Sequence, residues 1–157
     1  MKKVFSLILI GLMVLLVFTS CMNQAPKEYK ITFRDKDDET TVVYVAGSKV
    51  SFPDEPLRDG LVFGGWYFNG FPYPNNFVVT GDIVLTAKWN AYLIVMENDD
   101  EYTRYLFTAN TEIDNIPSPE RDDCIFCGWY QEKELINVVS WPLTLNITTY
   151  IYISWIC

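Results

Sequence analysis

Phe63-Gly64-Gly65-Trp66-Tyr67 returns later in the chain as Phe126-Cys127-Gly128-Trp129-Tyr130, and Ala87-Lys88-Trp89 returns as Ile153-Ser154-Trp155. An internal repeat constrains the fold before any local pattern does, because each copy must be one small unit that gains stability by packing against its neighbour. Counting back from Gly-Trp-Tyr aligns Val42–Ala46 with Tyr105–Ala109, Pro56 with Pro119, and Arg58-Asp59 with Arg121-Asp122. The marker tryptophans stand 23 residues apart in the first copy and 26 in the second. The second copy therefore carries a three-residue insertion, expected between Gln131 and Pro142.

Within each copy the pattern is that of strands. Tyr29, Ile31 and Phe33 alternate with Lys30, Thr32 and Arg34, which places one face in a core and the other in water. Further strands are expected at Thr41–Ala46, Leu61–Tyr67 and Ile83–Trp89, with Tyr92–Met96 opening the second copy. Acidic turns read at Asp35–Glu39 and Asn98–Glu101, and Pro53 and Pro56 bar a central strand between them and Leu61. Gly64 and Gly65 remove side chains beside Trp66, which reads as close approach of another backbone or of the indole. Only Asn90 and Ala91 separate the copies, so a semi-rigid pair is expected. The fold class that follows is mostly β: two tandem modules of about four strands each, over residues 29–90 and 91–157, with little or no helix.

Residues 1–20 have the parts of a secretory leader: Lys2 and Lys3, an apolar stretch from Val4 to Phe18, and small Thr19 and Ser20 before Cys21. Phe18-Thr19-Ser20-Cys21 resembles the lipobox of bacterial lipoproteins. That resemblance implies cleavage before Cys21, a diacylglyceryl group on its sulfur, and a protein held to a membrane by lipid and facing outside the cytoplasm. Plain secretion and an uncleaved anchor are the alternatives. Residues 21–28 then form a tether.

Without the leader, ten basic side chains face twenty acidic ones. Scattered cations in such an excess of acid argue against nucleic acid and against a heparin-like ligand. Histidine is absent from the sequence, which removes the commonest general base and both Ser-His and Cys-His nucleophile systems. The acidic turns read as solvated hairpin ends, with calcium as the alternative, since they lack the glycine and distal glutamate of an EF-hand loop. Cys124 and Cys127 have CxxC spacing but no second ligand pair for zinc. The readings are buried apolar thiols, a long-range bridge involving Cys157, or a redox or metal site.

An extended pair, a proline-containing segment, Gly-Trp-Tyr and a closing Leu85-Thr86-Ala87-Lys88-Trp89 together resemble the Listeria-Bacteroides repeat, the internalin B-type repeat of bacterial surface proteins. In the second copy Phe126, Gly128, Trp129, Tyr130 and Trp155 carry the likeness. The resemblance implies a small β-grasp-like module, found in tandem on cell surfaces and associated with adhesion rather than catalysis. Trp66, Trp89, Trp129 and Trp155 recur at matched positions and are assigned to the repeat core. Phe68, Phe71, Tyr73, Trp141, Tyr150 and Tyr152 are unmatched and form the candidate surface for a protein or glycan partner. The expected function is a lipid-anchored envelope binding or adhesion module, without catalysis or cofactor. A passive spacer or assembly subunit is the alternative, and a small hydrolase or thiol enzyme a remote one.

Overall fold

The computed structural model describes residues 25–157; the leader and Cys21 lie outside them. Strands follow in the order β1 (Glu28–Asp35), β2 (Asp38–Val45), β3 (Val62–Phe68), β4 (Phe71–Pro72), β5 (Ile83–Glu97), β6 (Asp100–Thr108), β7 (Glu112–Ile113), β8 (Ile125–Tyr130), β9 (Leu143–Thr144) and β10 (Thr149–Ile156). The described chain is mostly β, with two repeat regions.

The junction between the copies is itself a strand. Two separate strands were expected on either side of Asn90-Ala91, but β5 runs through that dipeptide for 15 residues. The reason lies in the alternation: Leu85, Ala87, Trp89, Ala91, Leu93 and Val95 are all buried, so period two persists across the junction. Neither glycine nor proline interrupts it.

β5 serves as the last strand of the first repeat and the first strand of the second. Along one edge it pairs in parallel with β1, Ile31 opposite Ile83, and then antiparallel with β6, Ala91 opposite Phe107. Along the other edge it pairs antiparallel with β3, Trp66 opposite Ala87, and then in parallel with β10, Leu93 opposite Thr149. β2 flanks β1, and β8 flanks β10. Each repeat thus has the same strand order: β2-β1-β5-β3 in the first and β6-β5-β10-β8 in the second.

One face of this sheet carries the core, and irregular segments cover it. In the first repeat Lys49 bridges Val78, and the Gly47 and Val50 amides donate to the Val79 and Phe77 carbonyls at 2.8 and 2.9 Å. In the second, β7 pairs with β9, and the Asn110 amide donates to the Leu145 carbonyl at 2.8 Å. These covers bury Val50 and Val79 in one copy and Ile113 and Leu145 in the other. The buried residues form one connected cluster through β5. The repeats also touch away from it, where the Thr148 amide donates to the Gly60 carbonyl at 2.8 Å.

Left-handed backbone recurs at matched turns: Lys36 with Asn98, Gly47 with Asn110, Gly60 with Asp123, and Gly65 with Gly128. Asn and Asp tolerate this region better than other residues with a side chain. At Gly65 and Gly128 the φ values are 105° and 137°, and the nearest atom to an added Cβ lies 3.9 and 3.8 Å away. Conformation therefore requires these glycines, not crowding by the indole. Gly64 differs, because its Cβ would meet the Asn90 side chain at 2.9 Å and the Lys88 carbonyl at 3.2 Å. Gly64 and its counterpart Cys127 are each the bulged residue in the pairing with β5 or β10.

Two irregularities separate the copies. Tyr102 is a bulge in β6, inserted between Glu101 opposite Met96 and Thr103 opposite Val95. The Gln131–Asn137 loop replaces the tight β3–β4 hairpin, closed by the Gln131 amide on the Asn137 carbonyl at 2.8 Å. Glu132 Oε1 accepts from the Ile136 and Asn137 amides at 2.9 and 2.6 Å, and the Asn137 amide foremost holds that carboxyl below its ordinary value.

Candidate functional site: the outer face of the sheet

Each repeat is clamped by an arginine, a carboxylate and a tryptophan. In the first, the Arg58 guanidinium donates through Nε and Nη2 to Asp35, at the end of β1, and stacks 4.8 Å from the Trp89 ring. Trp89 Nε1 donates to the same carboxylate at 2.8 Å. In the second, Arg121 donates twice to Glu97 at 2.8 and 2.6 Å and stacks 4.5 Å from Trp155. The hydrogen bond from Arg121 holds the Glu97 carboxyl below its ordinary value. With the longer glutamate, Trp155 Nε1 finds no partner. The clamp ties the hairpin end of each first strand to the closing tryptophan on the core side of the sheet, the side on which Ile31, Phe33, Leu85, Ala87 and Trp89 are buried.

Four of the seven acids in the expected hairpin turns are taken up in ion pairs. Asp35 serves Arg58, Glu39 pairs with Arg34, Asp99 with Lys133 and Glu101 with Arg104. Among the described residues no group of three or more acids or cysteines is arranged to hold a metal ion. Cys124 and Cys157 form a disulfide, and Cys127 is free and exposed. This corrects the buried-thiol reading: Ile125 lies opposite Ile156, so antiparallel β8 and β10 bring the flanking cysteines together.

The outer face differs between copies while the frame beneath it is kept. Residues directly opposite on neighbouring strands share a face, so register identifies the matched positions. The first repeat presents Lys30, Thr32 and Arg34 on β1, Val84, Thr86 and Lys88 on β5, and Tyr67 on β3. The second presents Tyr92, Ile94 and Met96 on β5, Tyr150, Tyr152 and Ser154 on β10, Tyr130 on β8, and Leu106 and Arg104 on β6, with Arg104 opposite Ile94 and 5.3 Å from the Tyr92 ring. Lys30, Thr32, Arg34, Val84 and Thr86 thus give way to Tyr92, Ile94, Met96, Tyr150 and Tyr152. Ile94 is only 7% exposed although it lies outside the core cluster, and Tyr150 beside it is 52% exposed.

Of the four matched tryptophans, Trp66, Trp89 and Trp129 are buried and Trp155 is half-buried against the core. The six unmatched aromatics divide into three groups. Phe68 and Phe71 are exposed at the tip of the β3–β4 hairpin. Tyr73 and Trp141 pack on the core from the covering layer, Tyr73 with its ring 4.7 Å from that of Phe77. Tyr150 and half-buried Tyr152 share the outer face of the second repeat. Sequence reasoning missed Tyr92, Tyr130, Ile94, Met96 and Leu106 on that face. The alternation of each strand, read for its outward residues as well as its inward ones, contains that signal.

Comparison with known proteins agrees with this architecture. The Listeria-Bacteroides repeat domain matches residues 29–88 and 96–150. A Gly-rich membrane protein of Evansella cellulosilytica is 30% identical over 118 residues, covering 69% of this chain and 14% of that protein. Internalin H of Listeria monocytogenes is 25% identical over 112 residues, covering 67% of this chain and 20% of its own length. The chain thus spans a small part of each of these relatives. Two family matches, a strand order repeated around β5 and a twice-built arginine–carboxylate–tryptophan clamp lead to one conclusion: this chain belongs to the Listeria-Bacteroides repeat family and carries two tandem copies.

Proposed function

We propose that the chain is a non-catalytic binding module of the bacterial cell envelope, lipid-anchored through Cys21, whose second repeat presents a tyrosine-rich docking face. The observation that carries this reading is the exchange of Lys30, Thr32, Arg34, Val84 and Thr86 for Tyr92, Ile94, Met96, Tyr150 and Tyr152 on an otherwise retained frame, with Tyr150 and Leu106 about half exposed. A contiguous apolar face rimmed by polar residues marks an interaction surface. Tyrosine suits such a face because it offers rigid contact area and a polar tip. Extracytoplasmic location draws support from the leader pattern, from the disulfide, and from relatives named as a membrane protein and an internalin.

The test grafts the first repeat's residues onto the second: Tyr150→Val, Tyr152→Thr and Leu106→Val, each already accommodated at the matched position. The purified chain without its leader and lipid-bearing cysteine, residues 22–157, and this triple variant are measured for binding to bacterial envelope fractions. At least tenfold weaker binding at an unchanged melting temperature supports the docking face. Unchanged binding sinks it, and the passive-spacer reading, favoured by the uninterrupted strand β5, then takes its place.

A further inference from the structure

We propose that the outer face of the first repeat holds a second, distinct binding site, a groove for a uronate-bearing polysaccharide. The groove is a solvent-open depression of about 810 Å³ between the outward side chains of β1 and β5 and the β3–β4 hairpin, within the range of about 300–1,000 Å³ usual for ligand sites. Tyr67 and Phe68 supply aromatic surface, while Thr32, Thr86, Asn69 and Asp82 supply hydroxyl, amide and carboxylate groups. Aromatic rings pack against the C–H faces of sugar rings, and mixed donors and acceptors answer sugar hydroxyls.

Charge narrows the class. Arg34, Arg104, Arg121 and Lys133 each pair with a carboxylate. In the groove Arg34 is paired with Glu39, and the Asp82 carboxylate, which accepts from the Lys30 amide at 2.7 Å, lies at one end, while the ammonium groups of Lys30 and Lys88 have no ion-pair partner among the described residues. Lys88 instead lies 6.0 Å from the centre of the Tyr67 ring. Two separate point charges complement spaced carboxylates, whereas a densely sulfated chain would demand a continuous basic track. The paired ladders of β1, β5 and β3 use their backbone groups in the sheet, so the floor offers no strand edge to an incoming peptide. Recognition must run through side chains. In the second repeat Tyr92, Ile94 and Ser154 stand where Lys30, Thr32 and Lys88 do, so the site belongs to the first repeat alone.

The experiment is calorimetric titration of residues 22–157, the chain without its leader and lipid-bearing cysteine, with hexagalacturonate, its methyl ester and hexaglutamate. Expected is binding of hexagalacturonate that weakens at least tenfold in Lys30→Gln/Lys88→Gln, at an unchanged melting temperature, and at least tenfold on methyl esterification. The tyrosine-face variant should bind it as the parent does. No binding by the parent chain, equal binding by the lysine variant, or equal affinity for the methyl ester or hexaglutamate overturns the proposal. Because different substitutions probe the two faces, failure of either reading leaves the other's readout intact.

Discussion

Replacing Asp35 with alanine removes the carboxylate on which the first clamp converges. Three hydrogen bonds are lost, two from Arg58 and one from Trp89 Nε1. A guanidinium and an indole N–H are left unpaired in a site where the Arg58 and Asp35 side chains are only 20% and 16% exposed. Hydrogen bonds to charged groups contribute about 1.5–3 kcal/mol each when buried; with the exposure here, the total loss is about 3 kcal/mol. For a domain of this size that lowers the melting temperature by about 10 °C. Asp35→Asn, which keeps an acceptor for the indole, should lose less. Glu97→Ala should also lose less, because its clamp is more exposed and holds no indole bond. Urea and thermal unfolding followed by tryptophan fluorescence supply the values, with exposed Asp37→Ala as the unchanged control. A shift under about 2 °C for Asp35→Ala, or a larger one for Glu97→Ala, would show that Asp35 does not anchor the first clamp.

The Cys124–Cys157 bridge closes a loop with a sequence separation of 33, and chain entropy puts its stabilisation at about 3.7 kcal/mol; Cys124→Ser/Cys157→Ser should lower the urea midpoint accordingly, and an unchanged midpoint counts against it. Gly65→Ala and Gly128→Ala force alanine into left-handed backbone without a clash and should each cost about 1–3 kcal/mol by denaturant unfolding. The Glu97 and Glu132 carboxyls are held below the ordinary value of 4.5 in the folded chain. Their contribution is therefore complete above that pH and is lost as pH falls through the lowered values, so the urea midpoint should drop below pH 4.5, and less so in Glu97→Gln/Glu132→Gln. Cys21→Ser should release the chain from membranes; persistent membrane partition with unchanged processing would rule out the lipid anchor.

Much of the frame was legible because it rests on period two and on repetition. Ile31 with Phe33 and Leu85 with Ala87 announce their strands and inward faces, and the Gly-Trp-Tyr elements align without structure. The clamp was not legible, for a reason that the bulge at Tyr102 explains. Alignment counted from Gly-Trp-Tyr places Asp35 against Asn98, whereas the extra residue in β6 makes Glu97 its counterpart. The disulfide was likewise hidden, since it depends on the register that sets Ile125 opposite Ile156. The outer-face substitution was half visible, since aligning Ala87-Lys88-Trp89 with Ile153-Ser154-Trp155 already sets Thr86 against Tyr152; the parallel register of β1 and β10 on β5 was needed to place Tyr92, Ile94 and Met96 beside it. Continuity through Asn90-Ala91 was present in the alternation, but a boundary between repeats masked it.

Because β5 belongs to both repeats, they should open as one cooperative sheet. Native-state hydrogen exchange on the chain carrying Ile31→Ala, a core substitution confined to the first repeat, tests it most directly. The amides of Tyr150–Tyr152 on β10 should lose protection together with those of Thr86–Lys88. Undiminished protection on β10, with the first repeat opened, would show two independently folding units and contradict it.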